Sequence, residues 1–193
     1  MRIVLATRNA GKIEELHRIL TEVEVLGLDA FPDAPDVPET EMSFAGNALL
    51  KARAINAHTG LPAVADDSGL CVEALNGMPG VLSARWSGRF GDATRDKDLA
   101  NVELLLDQLA NVHDRTAFFA CAAVLVRPDG TEEIVEGRMH GRVIEAPRGT
   151  GGFGYDPIFV ADDETRTNAE LTAAEKDAIS HRGKAFRALA KLI

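Results

Sequence analysis

What this sequence lacks narrows its function before its contents are considered. Its 193 residues include two cysteines, Cys71 and Cys121, whose spacing matches no zinc or redox motif. Both stand among apolar residues and are expected to be buried thiols. Positive charge is scarce. With 21 Lys and Arg against 30 Asp and Glu, the formal net charge is −9, which argues against a polyanion-binding face and so against nucleic acid as a partner. A small phosphorylated ligand remains compatible, because it needs only a local cluster of cations and backbone amides. No run reaches the roughly 18 apolar residues of a membrane span. The apolar stretch at Met1 to Thr7 is too short for a secretory signal. By elimination, a reducing cytoplasm with no membrane partner is expected. No long polar tract suggests disorder, and H-E-x-x-H, G-x-S-x-G and C-x-x-C are all missing.

What is present suits a single domain over residues 1–193. Hydrophobic residues make up 46% of the chain, enough for a sizeable core at this length. Ile3 to Ala6 reads as a buried strand. It ends in the polar, turn-prone Thr7 to Lys12, and a helix follows with Ile13, Leu16, His17 and Leu20 at helical spacing. Residues 29–42 hold three prolines and many acids and read as a connection with one short strand. Ser43 suits an N-cap, with Phe44, Ala48, Ala52 and Ile55 as the apolar stripe of the next helix. Leu61 to Ala65 reads as a second buried strand that stops at Asp66-Asp67-Ser68-Gly69.

Residues 76–92 read as a glycine-rich loop, and a helix is expected from Asp96 to Leu109, with Leu99, Val102, Leu105, Leu106 and Leu109 on one side. Thr116 to Val126 reads as a long strand. Pro128-Asp129-Gly130 turns it, and Thr131 to Glu136 should return antiparallel. Val143-Ile144 adds a further short strand. Glycines cluster over 149–154 ahead of an apolar run at Ile158-Phe159-Val160. Thr172-Ala173-Ala174-Glu175 has the form of a capping box, and the last helix carries Phe186, Leu189 and Ile193. Early alternation of strands and helices followed by a hairpin predicts a mixed α/β sheet.

Four segments could carry chemistry. Thr7, Arg8, Asn9, Ala10, Gly11 and Lys12 lie between a strand and a helix, where free amides and the positive end of the helix dipole attract phosphate. Asn9 and Gly11 permit backbone angles that turn amides inward, and Lys12 adds a charge. The Walker A spacing is absent, and an ordinary strand-to-helix turn fits the same residues. Asp66 and Asp67 follow an apolar strand, the end at which open α/β sheets bind ligands. Adjacent carboxylates repel unless compensated. Magnesium takes one or two carboxylates together with substrate phosphates. A turn cap beside a solvated acid is the plain alternative.

Gly149 to Gly154 formally matches G-x-G-x-x-G. A dinucleotide fingerprint must open a helix, whereas Pro157 and an apolar run follow here. The loop could instead present Phe153 or Tyr155 to a base, or simply precede a strand. Lys176 with Ser180-His181-Arg182-Gly183-Lys184 gathers donors within one or two helical turns. They suit a phosphate or a purine edge, and a solvated helix face explains them as well. His17, His58, His113 and His140 are scattered and read as surface or core residues.

Taken together, LATRNAGK (5–12), NALLKA (47–52), ADDSGL (65–70), SARWSG (83–88), GGFGYDPIF (151–159) and SHRGKAF (180–186) resemble the Ham1/inosine triphosphatase-like family of purine nucleotide pyrophosphatases. The six pieces occur in the family's order along nearly the whole chain. The resemblance implies an elongated α/β fold: a mixed twisted sheet flanked by helices, two lobes with a nucleotide cleft between them, and a homodimer. It implies magnesium-dependent release of pyrophosphate from ITP, dITP and XTP, which cleanses the nucleotide pool. Thr7 to Lys12 would hold the triphosphate. Asp67 would be the catalytic carboxylate and a metal ligand, with Ser68 touching substrate. Phe153, Gly154, Tyr155, Asp156, Lys176, His181 and Arg182 would form the nucleoside pocket. Lys12, Asp67 and Arg182 should therefore converge.

One position departs from the family. Where its pattern reads T-F-x-E-N-A, this chain has Ser43-Phe44-Ala45-Gly46-Asn47-Ala48. Gly46 can neither cap the helix with a side chain nor bind a metal, so Glu39 or Glu41 just upstream would have to substitute, with Glu39 taken as the second metal ligand. A non-catalytic purine-nucleotide-binding protein with a weakened metal site is the competing reading, and an enzyme for pyrimidine or modified nucleotides is a third.

Overall fold

A short apolar run that starts the chain has to be buried on both faces, and that requirement organises the sheet. A computed structural model describes residues 2–21, 23–88 and 96–193. β1 (Arg2–Leu5) lies parallel to β2 (Glu24–Leu26) and to β3 (Ala63–Val72). β4 (Thr116–Val126) and β5 (Glu132–Val143) form a hairpin, and β6 (Phe159–Ala161) pairs antiparallel with β5 through Gly141–Ala161 and Val143–Phe159. The six strands run in the order β2-β1-β3-β4-β5-β6, a mixed sheet. The helices are α1 (Ala10–Ile19), α2 (Phe44–Thr59), α3 (Lys97–Gln108), α4 (Ala173–Ile179) and α5 (His181–Leu189).

Several expectations change. The short strand lies at 24–26, ahead of the proline-bearing stretch, because the prolines at 32, 35 and 38 have no N–H to give a ladder. β3 does not stop at Asp66 but continues to Val72, since partners elsewhere compensate its two carboxylates. Gly69 lets it pass a neighbouring segment closely: a Cβ there would sit 2.3 Å from the Gly80 carbonyl oxygen. Val143 is the end of β5 and not part of a separate strand.

Leu99 is 52% exposed. At 100° per residue the buried face of α3 centres on Asn101, Val102, Leu105 and Leu109, which leaves Leu99 at its edge. The last helix is two helices. Ser180 breaks it, and its hydroxyl accepts the Gly183 N–H to cap α5. The loop expected over 76–92 contains a 3-10 turn at Gly80–Arg85, and its residues 89–92 lie outside the described residues. The caps at Ser43 and Thr172 form as expected, with Ser43 Oγ accepting the Gly46 N–H and Thr172 and Glu175 bonding reciprocally. Cys71 and Cys121 are buried free thiols. No helix among the described residues is long and apolar enough to cross a membrane.

The chain divides into two compact units. The first comprises the chain up to Asp67, Cys121–Gly137 and Ser180–Ile193; the second comprises the described residues of 68–120 and Arg138–Ile179. In the first, alternate residues of β1 and β3 feed two cores. Ile3, Leu5 and Val64 pack with Leu16, Phe186 and Leu189, while Val4, Ala63 and Ala65 pack with Ala48, Ala52 and Ile55. The second has one core around Leu70, Val72, Leu105, Phe119 and Phe159, where the two phenylalanine rings meet edge to face at 4.8 Å.

Candidate active site

In the first unit β1 delivers the chain to Thr7, whose hydroxyl accepts the Asn9 N–H at 3.2 Å. Asn9 then caps α1, its Oδ1 accepting the Lys12 N–H at 3.1 Å. Asn9 has φ −76° and ψ 112°, and Gly11 is not among the glycines with positive φ. The loop is therefore shaped by an ordinary side-chain cap and not by left-handed backbone. Arg8 turns toward Asp36, with its guanidinium also donating to the Ala34 carbonyl at 3.0 Å.

Lys12 reaches across to β3. Its ammonium lies 2.9 Å from Asp66 Oδ2 and 3.4 Å from the Asp66 carbonyl oxygen. Lys51, from α2, donates to that same carbonyl at 2.7 Å and to Glu39 at 3.1 Å, and lies 4.0 Å from Asp67 Oδ1. Arg182, from α5, donates through Nε to Asp66 Oδ2 at 3.3 Å and through Nη1 to Glu15 on α1. Lys12, Asp67 and Arg182 thus converge, with Asp66 as the hub. Asp67 is held by Asn47, whose Nδ2 donates to Oδ2 at 3.1 Å while its Oδ1 accepts the Glu41 N–H at 2.9 Å.

The two adjacent carboxylates are driven in opposite directions. Burial is the largest influence on Asp66 and favours its neutral form. Lys12, Arg182 and Lys51 together outweigh it and hold the carboxyl well below the ordinary range. At Asp67 burial dominates, and nearby Glu39 adds to it against Lys51, so its pKa is raised. A carboxylate that burial and a second acid disfavour is one that a bound cation would relieve. Among the described residues no three His, Cys, Asp or Glu side chains gather as a metal site on their own. Asp67 and Glu39, bridged by Lys51, fit the magnesium mode in which one or two carboxylates are completed by phosphate oxygens and water. At Gly46 a Cβ would fall 2.7 Å from Glu41 Cβ and 2.9 Å from its Cγ: the Glu41 side chain covers the space that a side chain at 46 would need.

In the second unit the glycine cluster sits between β5 and β6 and leads into a 3-10 turn at Asp156–Ile158, which leaves no dinucleotide fingerprint. Asp156 Oδ2 accepts Lys176 Nζ at 2.6 Å and the Phe153 N–H at 2.9 Å, and Asp156 Oδ1 accepts Asn168 Nδ2 at 3.1 Å. The Lys176 ammonium stands 4.9 Å from the Phe153 ring centroid, within cation–π range. The Gly154 N–H donates to Asp98 Oδ2 at 2.7 Å. Tyr155 corrects the stacking expectation: it is 4% exposed with its hydroxyl donating to the Ser83 carbonyl, so its ring is core. Ser68 is half-buried on β3.

Lys176, His181 and Arg182 are 6%, 5% and 2% exposed, which excludes a solvated helix face. Ser180 divides them between α4 and α5, and so between the two units. The four scattered histidines, His17, His58, His113 and His140, are exposed. Sequence reasoning passed over Glu15, Asn47 and Lys51 as functional groups. Glu15 stands three residues after Lys12 on α1, where helical spacing was the available signal; Asn47 and Lys51 are one turn apart on α2, inside the NALLKA segment.

Comparison with known proteins extends this picture over the full length. The Ham1 family model matches residues 3–192. A Streptomyces coelicolor protein named dITP/XTP pyrophosphatase is 61% identical, the match covering 100% of this chain and 96% of that protein. The structure of a HAM1 protein from Coxiella burnetii matches with a TM-score of 0.89 at 41% identity, covering 100% of this chain and 98% of that one. A crystal structure of nucleoside-triphosphatase / dITP/XTP pyrophosphatase from Mycobacterium abscessus matches with a TM-score of 0.78 at 55% identity, covering 98% of each. With the matched segments running from β1 to the end of α5, the chain belongs to the Ham1 family.

Proposed function

We propose that this chain is a nucleoside-triphosphate pyrophosphatase. It takes non-standard purine nucleotides (ITP, dITP and XTP) to the monophosphate and pyrophosphate, and so removes them from the nucleotide pool. The observation that carries the reading is the meeting of Lys12 and Lys51 on the Asp66 carbonyl, with Asp67 the next residue. Full-length relatives named dITP/XTP pyrophosphatase support the substrate class.

The first turn of α1, with Thr7, Asn9, Lys12 and nearby Lys51, binds the triphosphate through amides and two ammonium groups. Asp66 fixes Lys12, and Glu15 with Asp66 fixes Arg182. Asn47 orients Asp67, which accepts the proton of the water that attacks the α-phosphorus. Asp67 and Glu39 would hold magnesium, which would supply charge neutralisation to the triphosphate. Phe153, beneath Lys176, offers a face to the base, and Asp156 holds both. Donors facing the 6-oxygen favour inosine and xanthine over adenine, whose 6-amino group leaves such donors unpaired. The working state is a cytoplasmic homodimer.

A substrate panel with magnesium tests this. ITP and XTP should release pyrophosphate far faster than ATP, and Asp67→Asn should lose most turnover while remaining folded. Equal rates on ITP and ATP defeat the selectivity. ITP binding without turnover would make the chain a nucleotide-binding protein and not an enzyme.

A further inference from the structure

The loop that carries Phe153 is built from glycine, the residue least able to hold one conformation, yet two consecutive amides in it are tethered. The Phe153 N–H goes to Asp156 at 2.9 Å, and the Gly154 N–H goes to Asp98 at 2.7 Å. Asp156 is committed to a buried cluster with Lys176 and Asn168. Asp98 comes from elsewhere: it stands exposed on the first turn of α3, after the Asp96 cap. Gly154 has φ 60°, and a Cβ built on it would meet nothing within 4 Å. Space does not demand glycine there; the left-handed backbone does. That conformation goes with an amide aimed at Asp98.

We propose that Asp98 is a positioning residue for Phe153: its carboxylate pins the next amide, and with Asp156 it fixes the direction in which the Phe153 ring leaves the backbone. The inference rests on the reading that places Phe153 against the base. Freed from Asp98, Gly154 can rotate its peptide, and the ring beside it loses the pose it holds under Lys176.

The test uses the full chain with Asp98→Ala, Asp98→Glu and Asp98→Asn. Hydrogen exchange of a peptide spanning 151–156 reads the tether, and steady-state kinetics with ITP read its consequence. Asp98→Asn keeps an oxygen acceptor in place and should behave as the parent in both. Asp98→Ala and Asp98→Glu should exchange faster at Gly154. They should raise KM for ITP by about fivefold or more with kcat within about twofold, as expected when uniform binding is lost. Because Glu keeps the first-turn charge while moving the carboxylate one methylene out, its loss separates geometry from helix electrostatics and from misfolding of the Ala variant. Unchanged exchange in both variants overturns the tether. Faster exchange with unchanged KM overturns the role toward Phe153. The exchange arm needs no turnover, so a parent chain inactive on ITP would sink the functional reading without being mistaken for failure of the tether.

Discussion

Arg182→Met removes the guanidinium that Glu15 and Asp66 share. The four side chains of this group are almost dry: the side chain alone is 3% exposed for Arg182, 5% for Glu15, 0% for Asp66 and 13% for Lys12. Two acids face two bases, so the cluster is neutral as it stands. Methionine fills similar space without charge and leaves two buried acids with one buried base. Breaking a buried pair in this way costs about 3–5 kcal/mol. At roughly 2–4 °C per kcal/mol for a chain of this size, the melting temperature should fall by roughly 6–20 °C. Removing the facing acid as well, in Glu15→Leu/Arg182→Met, restores neutrality and should recover most of the loss, because apolar replacements of whole buried pairs are often nearly neutral. Urea denaturation followed by circular dichroism reads both variants. A loss under about 1 kcal/mol for Arg182→Met, or a double variant worse than the sum of its singles, would refute the reasoning that these charges are buried and mutually dependent.

Other outcomes follow from the same geometry. Because Asp66 has its folded pKa below its unfolded value, its contribution to stability is complete above the unfolded value of 3.8 and is lost as pH falls through the folded one. Asp66→Asn should therefore flatten the acid limb of a stability–pH curve, and an unchanged limb argues against the charge assignment. Asp67 has the opposite sign: raised in the fold, it stabilises below the unfolded value and costs stability as pH rises through the folded one. Asp67→Asn should thus melt higher than the parent at neutral pH while losing turnover; a lower melting point contradicts the burial account. Gly46→Glu should destabilise by about 1–3 kcal/mol through overpacking against Glu41. Adding Glu41→Gly should relieve most of that, and a single variant as stable as the parent would show that Glu41 moves aside freely.

Much of the scaffold was legible because it obeys local rules. β4 follows its apolar run from Thr116 to Val126, and α2 opens at the cap and buries the stripe that its spacing marks out, with Phe44 half-buried at its edge. The passage of β3 through Asp66 was not legible. Two acids and a glycine read as a strand's end, and it takes Lys12, Arg182, Asn47 and Lys51, brought in from three helices, to make a buried strand possible there. Lys12 and Asp67 could be nominated from their own loops. Glu15 could not, and Asn47 and Lys51 stood out only as part of NALLKA, since the role of each depends on a partner far along the chain. Tyr155 misled for a different reason: an amphipathic ring suits a base as well as a core, and its choice depends on the Ser83 carbonyl.

Attack at the α-phosphorus by a water beside Asp67 is the central claim, and isotope tracing reads it directly. ITP hydrolysed with magnesium in ¹⁸O-labelled water, with products weighed by mass spectrometry, should carry the label in the inosine monophosphate and leave pyrophosphate unlabelled. Label in the pyrophosphate, or IDP and inorganic phosphate as the products, would contradict the account.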